Sequence, residues 1–444
     1  MRAAFWREGT DNIQRLSFMT SIKAIRWLDH WIGIPICFVL TAVRRLNDVA
    51  KRKPLPALRA IVFVKFVEQG STVLACSAIR RAIDLVGRNN VYFLVFQENR
   101  FILDVMELLP AENVIAIRHE NVITAIRDLV RAIASLIKKR VNAVIDLEFF
   151  ARSSAAISFL TGCDYRVGFH GFGGEGPYRG DLMTHRVRYN PYLHTAQAFH
   201  MMVEALAFSP RDLMPFDMKF PTADDSPPAF LPTESEVVQA KDIVCEAARI
   251  APLPPLVLLN PNCSDMLPLR RWPAEKYIEL AQRLTATYPE LYVGLTGSPS
   301  EAKAAASMVE EIGSKHCFSL AGRTTLRQLL VIFGLADVLV TNDSGPAHFA
   351  ALTPIEVVTL FGPETPHLYG ARTARNHVFW QALACSPCVS ALNQKFSACQ
   401  NNLCMQHIDV DAVFNKVCKI YQTKRKTRTF ANDENRVRHV QLDA

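Results

Sequence analysis

The stretch Asp343-Ser344-Gly345-Pro346-Ala347-His348 gathers a carboxylate, a hydroxyl and an imidazole around one glycine and one proline. The run before it, Ala336-Asp337-Val338-Leu339-Val340, is short and β-branched and predicts a buried strand. Ala347 and the apolar run Phe349-Ala350-Ala351-Leu352 after Pro346 predict a short helix. The tetrapeptide therefore sits where a strand turns into a helix. Pro suits a first helical turn because its missing N–H has no intrahelical partner there. Such a turn aims free N–H groups at one point, and a phosphate is the usual anion in that position. Asp343 and Ser344 can equally act as plain N-caps.

Similar polar turns recur after other expected strands. Asn260-Pro261-Asn262-Cys263-Ser264 follows the strand at 256–259, and Thr296-Gly297-Ser298-Pro299 follows the one at 291–295. Ala321-Gly322-Arg323-Thr324 follows 317–319, and Gly362-Pro363-Glu364 follows 357–361. Each alone is weak, since Gly and Pro mark any strand-to-helix turn. Ligands of parallel sheets bind beyond the carboxyl ends of the strands, so five such turns on one sheet outline a pocket for a phosphorylated ligand. Arg270 and Arg271, just before Trp272-Pro273, supply the charge that a diphosphate needs.

These turns need a scaffold, and the alternation of patterns describes one. From residue 59, strands at 61–64, 91–96, 114–117 and 143–147 alternate with helical stretches at 71–85, 101–109 and 122–138. After residues 209–255, rich in Pro and Asp, the alternation restarts at 256. Two doubly wound α/β halves facing a central cleft are expected. The boundaries read are an N-terminal extension at 1–54, a first Rossmann-like domain at 55–208 and a linker at 209–255. A second, nucleotide-binding domain follows at 256–422, and a basic, disordered tail at 423–444.

The chain has 444 residues, half of them hydrophobic, so it can bury large cores. Its net charge is +8. The densest basic clusters are Arg44-Arg45 with Lys51-Arg52-Lys53, and Lys424-Arg425-Lys426 with Arg428. They suit an anionic membrane surface or an acidic substrate. No helix-turn-helix, zinc-finger or RNA-binding pattern appears, so nucleic acid is not an expected partner. Eleven Cys, mostly isolated among apolar residues, and no signal-peptide pattern fit a reduced, cytoplasmic location. Within 27–45, the uncharged run from Trp31 to Val43 is interrupted by Pro35 and falls short of the about 20 residues that span a bilayer. Two readings fit it: a helix lying in one leaflet, peripheral on the inner face of the membrane, or a helix packed on the protein itself.

DSGPAH followed by FGPETP, with RRWP, TGSP and LAGRTTL before them, resembles glycosyltransferase family 9. The best-known members of that family are ADP-heptose:lipopolysaccharide heptosyltransferases. The resemblance covers about 58–420 and is closest in the second half. It implies a GT-B fold and inverting, metal-independent transfer from a nucleotide-diphosphate sugar to a lipid-linked saccharide, with no cofactor. Carried over by position, Asp343, Ser344, Gly345 and Pro346 contact the sugar diphosphate, with His348 close by. Arg270 or Arg271 neutralises the leaving phosphate, and Gly322, Arg323 and Thr324 lie near the nucleoside. Asn262, Ser264 and Gly297 complete the donor side. A nucleotide-sugar epimerase or hydrolase of the same fold, or a non-catalytic binding scaffold, are the rival readings.

Inverting transfer needs a carboxylate to take the acceptor's proton. The family's Gly-Asp-Val-Leu motif becomes Gly70-Ser71-Thr72-Val73-Leu74, with Ser71 in place of the Asp. Ser71 reads as a helix N-cap, and Glu68 is the preferred base, with Asp146 and Glu148 as alternatives. His170, Glu175, Tyr178 and Arg179 sit in or beside the Gly-rich loop 171–182, which is expected as a lid or a surface loop lining an acceptor pocket. Cys385, Cys388, Cys399 and Cys404 have the spacing C-x2-C-x10-C-x4-C. This admits a structural zinc, reduced core thiols or a disulfide.

Overall fold

This computed structural model describes residues 29, 31–50, 54–174, 176–210, 225–263 and 267–442, and only the backbone of 48–50 and 427–442. The first half is built on six parallel strands: β1 (Ile61–Val64), β2 (Val91–Phe96), β3 (Val114–Ile117), β4 (Ala143–Asp146), β5 (Tyr165–His170) and β6 (His185–Arg188). Their order is β3-β2-β1-β4-β5-β6. β1 and β4 are buried at every position, which is why they read as unbroken apolar runs. Helix α1 (Gly33–Ala50) precedes the sheet. α2 (Gln69–Val73), α3 (Cys76–Val86), α4 (Arg100–Met106), α5 (Val122–Lys138), α6 (Arg152–Leu160) and α7 (Thr195–Glu204) cover it.

α8 (Glu234–Ala248) lies inside the segment expected as a linker. Thr233 and Glu236 close its N-terminus as a reciprocal capping box, a signal legible in Thr233-Glu234-Ser235-Glu236. The second sheet has β7 (Leu256–Asn260), β8 (Tyr292–Leu295), β9 (Cys317–Ser319), β10 (Val338–Asn342), β11 (Glu356–Phe361) and β12 (Asn376–Trp380) in the order β12-β11-β10-β7-β8-β9. Read from the far edge, this repeats the strand order of the first sheet. α9 (Ala274–Thr287), α10 (Ala302–Ile312), α11 (Leu326–Leu335), α12 (Gly345–Ala350), α13 (Pro366–Tyr369), α14 (Leu403–Gln406) and α15 (Val410–Leu442) complete it.

The two doubly wound halves agree with the sequence reading. β5, β6 and β12 are additional; β6 and β12 are edge strands, whose polar residues hide the pattern. The tail expected as disordered is helical backbone as far as Leu442. No Gly or Pro interrupts 410–444, and its Lys, Arg, Gln and Ala favour helix.

α1 packs one face on the first half. Cys37 is buried with Ala155, Leu182 and Met183, and Arg44 holds Asp181 at 2.7 Å. Gly180, at φ +73°, lets the chain pass so close that a Cβ there would stand 2.8 Å from the Cys37 carbonyl. The other face of α1 exposes Phe38, Val39 and Leu46. Trp27 and the rest of 1–28 lie outside the described residues, as does Glu175. The loop before α1's contact is tied down rather than free: the Asp181 amide donates to Thr41 Oγ1 at 2.9 Å. Arg179 is buried in an ion pair with Asp146, whose carboxylate also accepts from Ser154 Oγ at 2.9 Å. Burial pushes the Asp146 carboxyl up, and Arg179 pulls it back.

Asp146 is thus a structural partner, not a base, and Arg179 is spent on that buried pair. Arg179→Met leaves a buried carboxylate unpaired and is expected to lower stability by about 3–5 kcal/mol. Adding Asp146→Asn should recover part of that loss. Urea unfolding of the single and double variants checks it; a loss within error for Arg179→Met would contradict this role.

Candidate active site

The carboxyl edges of the two sheets face one cavity of about 620 Å³. From the first half come Glu68, Gly70, Ser71 and Asn99; from the second come Asn262, Arg270, Gly297, Thr324, Asp343–Pro346, His348, Glu364, Tyr369 and Lys395. Residues read from five separate turns therefore share one wall.

The turn after β1 presents Glu68. Glu148 accepts the Phe66 and Val67 amides at 2.7 and 3.0 Å and pairs with the fully buried Lys65 at 3.5 Å. Asn99 donates to the Phe66 carbonyl. Glu148 therefore shapes the turn and does not reach the cavity. Glu68 itself sits at φ 67°, a conformation that non-glycine residues seldom adopt. Ser71 lies within α2 rather than at its N-cap; its hydroxyl donates to the Glu68 carbonyl at 2.9 Å.

On the opposite wall, Asn342 at the end of β10 is completely buried and stitches two loops and α9 together. Its Oδ1 accepts from the Trp272 amide at 3.0 Å and from the Tyr277 hydroxyl at 3.2 Å. Its Nδ2 donates to the Pro261 and Asn262 carbonyls at 3.0 and 3.2 Å. This fixes the turn before Trp272, which carries Arg270, against Asp343. Ser344 occupies the N-cap position of α12 but makes no side-chain cap; its hydroxyl donates to the Asn342 carbonyl at 3.2 Å. Gly297 faces Asn262 so closely that a Cβ would stand 2.9 Å from its Nδ2.

Two cations and three carboxyl groups meet in the cavity. Arg270 Nη1 stands 3.3 Å from Glu364 and 3.8 Å from Asp343. Lys395 Nζ stands 2.5 Å from Glu68 and 3.7 Å from Glu364, and 5.3 Å above the Tyr369 ring. The Lys395–Glu68 pair joins the two halves across the cleft. Burial favours the neutral Glu68 acid, but Lys395, Lys65 and Arg270 overcome it and hold the carboxyl near 2. Asp343 is pushed well above the usual carboxylate range by burial and by the charge of Glu364, against the pull of Arg270. Burial, with His194 and Arg270, lowers His348 to about 3, so it is a neutral imidazole. Asp343 Oδ2, Glu364 Oε1, Arg270 Nε and His348 Nδ1 make no hydrogen bond within the chain, although all are buried. Buried polar atoms left in this way mark a place for a polar ligand. The permanent cations suit a diphosphate, and the ionised Glu68 faces them as a proton acceptor.

Arg271, Gly322 and Arg323 are exposed and do not line the cavity. The Arg271 carbonyl instead accepts from Asn402 Nδ2 at 2.9 Å. Ser264 lies outside the described residues. Tyr369, Lys395 and Asn342 are additions to the sequence reading, in which Glu364 stands only as part of a polar turn. Glu364 carries a signal in the polar turn after β11; a lone Lys395 among polar residues carries none. Cys385, Cys388, Cys399 and Cys404 are free thiols, and among the described residues no group of three His, Cys, Asp or Glu is placed to hold a metal ion.

The family model for glycosyltransferase family 9 (heptosyltransferase) matches residues 129–397. Lipopolysaccharide heptosyltransferase 2 of Escherichia coli K12 is 29% identical over 221 residues, 48% of this chain and 58% of that protein. The matches span about half the length of such curated relatives. The structure of E. coli ADP-heptose lipopolysaccharide heptosyltransferase II superposes with a TM-score of 0.60 at 19% identity, covering 82% of this chain and 99% of that one. A family 9 glycosyltransferase from Veillonella parvula gives 0.61 at 17% identity, covering 82% and 97%. These likenesses show the GT-B fold.

Two outcomes test the geometry. An unfolded Asp titrates near about 3.9. Asp343 binds its proton more tightly when folded, so it costs the native state stability as pH rises above that value. Asp343→Asn removes the cost, so its melting temperature should exceed wild type at pH 8 by more than at pH 4; an equal difference would place Asp343 in an ordinary environment. A Cβ on Gly70 would stand 2.7 Å from His348 Cδ2 and 3.2 Å from Gly345 Cα, across the cleft. Gly70→Ala should lower stability by about 1–3 kcal/mol, and an unchanged melt would show that the two walls give freely there.

Proposed function

Because the chain belongs to glycosyltransferase family 9, we propose that it moves a sugar, heptose by default, from a nucleotide-diphosphate sugar to a lipid-linked saccharide such as lipopolysaccharide core. One observation carries this reading. Arg270 and Lys395 stand beside the Asp343-Ser344-Gly345 turn, while an ionised carboxylate, Glu68, faces them from the other domain.

The donor diphosphate would take Arg270 and Lys395 as its counter-charges. An acceptor hydroxyl then attacks the anomeric carbon from the face opposite the diphosphate, and Glu68 receives its proton. A carboxylate held near 2 is a weak base. Transfer of Lys395 from Glu68 to the arriving diphosphate removes the main charge that holds it down. Glu68 thus becomes a better base only when the donor is in place. Asp343 and Glu364, sharing Arg270, keep that guanidinium oriented. His348 is neutral and contributes shape and hydrogen bonding rather than charge. The enzyme would act in the cytoplasm, at the inner face of the membrane where such acceptors lie, with the exposed apolar face of α1 as its contact. Among the described residues, no helix is long and apolar enough to cross a membrane.

Thermal shifts against ADP, UDP and GDP and their sugars test donor binding. A ligand at about 100-fold its Kd adds about 2.7 kcal/mol of stability, so one nucleotide class should raise the melting temperature by a few degrees, and Lys395→Ala should reduce the shift. Glu68→Gln should keep that shift and lower transfer by about 10²–10⁴-fold. Sugar release without any acceptor would favour the hydrolase or epimerase reading. Binding with no turnover in wild type would favour the scaffold.

A further inference from the structure

α5 is apolar on two opposite sides. Its inner side, with Ala132 and Leu136, seats on Val62, Leu94 and Ile117 of the first sheet. Its outer side carries Ile123, Ile126, Val130 and Ile137, which are 80, 57, 60 and 59% exposed. Steps of three, four and seven residues place these four on one stripe along the helix. A helix with one face in the core is expected to be polar on the other. Single exposed apolar residues are ordinary, but a contiguous stripe marks an interaction surface.

The charge beside the stripe names the partner. Arg127, Arg131 and Lys138 are exposed one position further round the helix from Ile126, Val130 and Ile137. From Arg118 to Arg140 there are six Lys and Arg and only two acidic residues, Glu120 and Asp128. Asp128 alone answers Arg118, Arg127 and Arg131, at 2.8, 3.7 and 3.9 Å. An apolar stripe with a flank of net positive charge fits the headgroup boundary of an anionic bilayer, into which long Arg and Lys side chains can reach outward.

Position in the fold agrees. The segment leading into α5 approaches the cavity wall: His119 stands 3.3 Å from Glu98, and Gln69, on that wall, donates to the Glu98 carbonyl at 2.6 Å. α6 packs Ile157 into the same core cluster as Leu129 of α5, so α6, and α1 upon it, lie on the same side of the sheet.

We propose that the outward face of α5 docks on an anionic lipid bilayer and brings the cavity mouth to the headgroup level. Its purpose rests on the lipid-linked acceptor proposed above; the binding itself does not. The test uses the full chain, without donor, in co-sedimentation with phosphatidylglycerol/phosphatidylethanolamine vesicles and with phosphatidylcholine vesicles. Wild type should bind the anionic vesicles and lose binding in high salt. Ile123→Gln with Val130→Gln, and separately Arg127→Gln with Arg131→Gln, should each weaken binding about 10-fold or more while leaving the melting temperature and the nucleotide-induced shift unchanged. Phe38→Gln on α1 reads the share carried by the other exposed helix; binding that falls there but persists in both α5 variants overturns the proposal. Wild-type binding that persists undiminished in both α5 variants, or no binding at all, overturns the proposal. So does a solution dimer that the Ile123/Val130 substitutions dissolve, because the stripe would then be an interface between copies. Failure of the nucleotide shift with vesicle binding intact would count against the transferase reading alone.

Discussion

Charge balance in the cleft is the constraint around which this molecule is arranged. Two cations and three carboxylates are held within one cavity; without Arg270 the buried Asp343 has no ion-pair partner, and without Lys395 neither has Glu68. Isolated buried charges are costly, and pairs must be matched closely to be tolerated. Here the match is incomplete: Asp343 is pushed toward its neutral form, and several polar atoms make no hydrogen bond. A cavity of this kind is held ready for a charged ligand rather than optimised for its own stability.

The scaffold makes that imperfection tolerable. Two sheets of the same strand order present their carboxyl edges to each other, so turns far apart in the chain converge. Buried side chains away from the chemistry then fix those turns. Glu148 holds the backbone that carries Glu68, and Asn342 holds the backbone that carries Arg270. Neither touches the cavity's reactive groups, yet the geometry of both walls depends on them. Between the walls, Gly70 allows the two halves to approach within contact of His348.

The ion pair between Lys395 and Glu68 gives the cleft a second property. It links the domains and also suppresses the basicity of the carboxylate it binds. A ligand that competes for Lys395 would loosen the link and raise the basicity of Glu68 together. The protonation state of the site is then tied to its occupancy.

Much of this was legible in the chain itself. Strand and helix periods marked the two halves, because buried parallel strands are unbroken apolar runs and their turns need Gly, Pro and small polar residues. The turn after β10 marked Asp343 by local spacing, Arg270 stood out as charge before Trp272-Pro273, and Glu68 followed from the family motif that Ser71 alters. The sequence did not show β6 or β12, whose polar edge positions carry no pattern. It preferred Glu68 but kept Asp146 and Glu148 as alternatives, since all three lie at or just beyond the ends of strands of one sheet. Only packing decided that Arg179 consumes Asp146, that Lys65 and two amides consume Glu148, and that Lys395, 327 positions away, closes on Glu68. Periodicity and turn chemistry are local and survive in one dimension. Charge pairing depends on distance in space, and only the folded chain sets that distance.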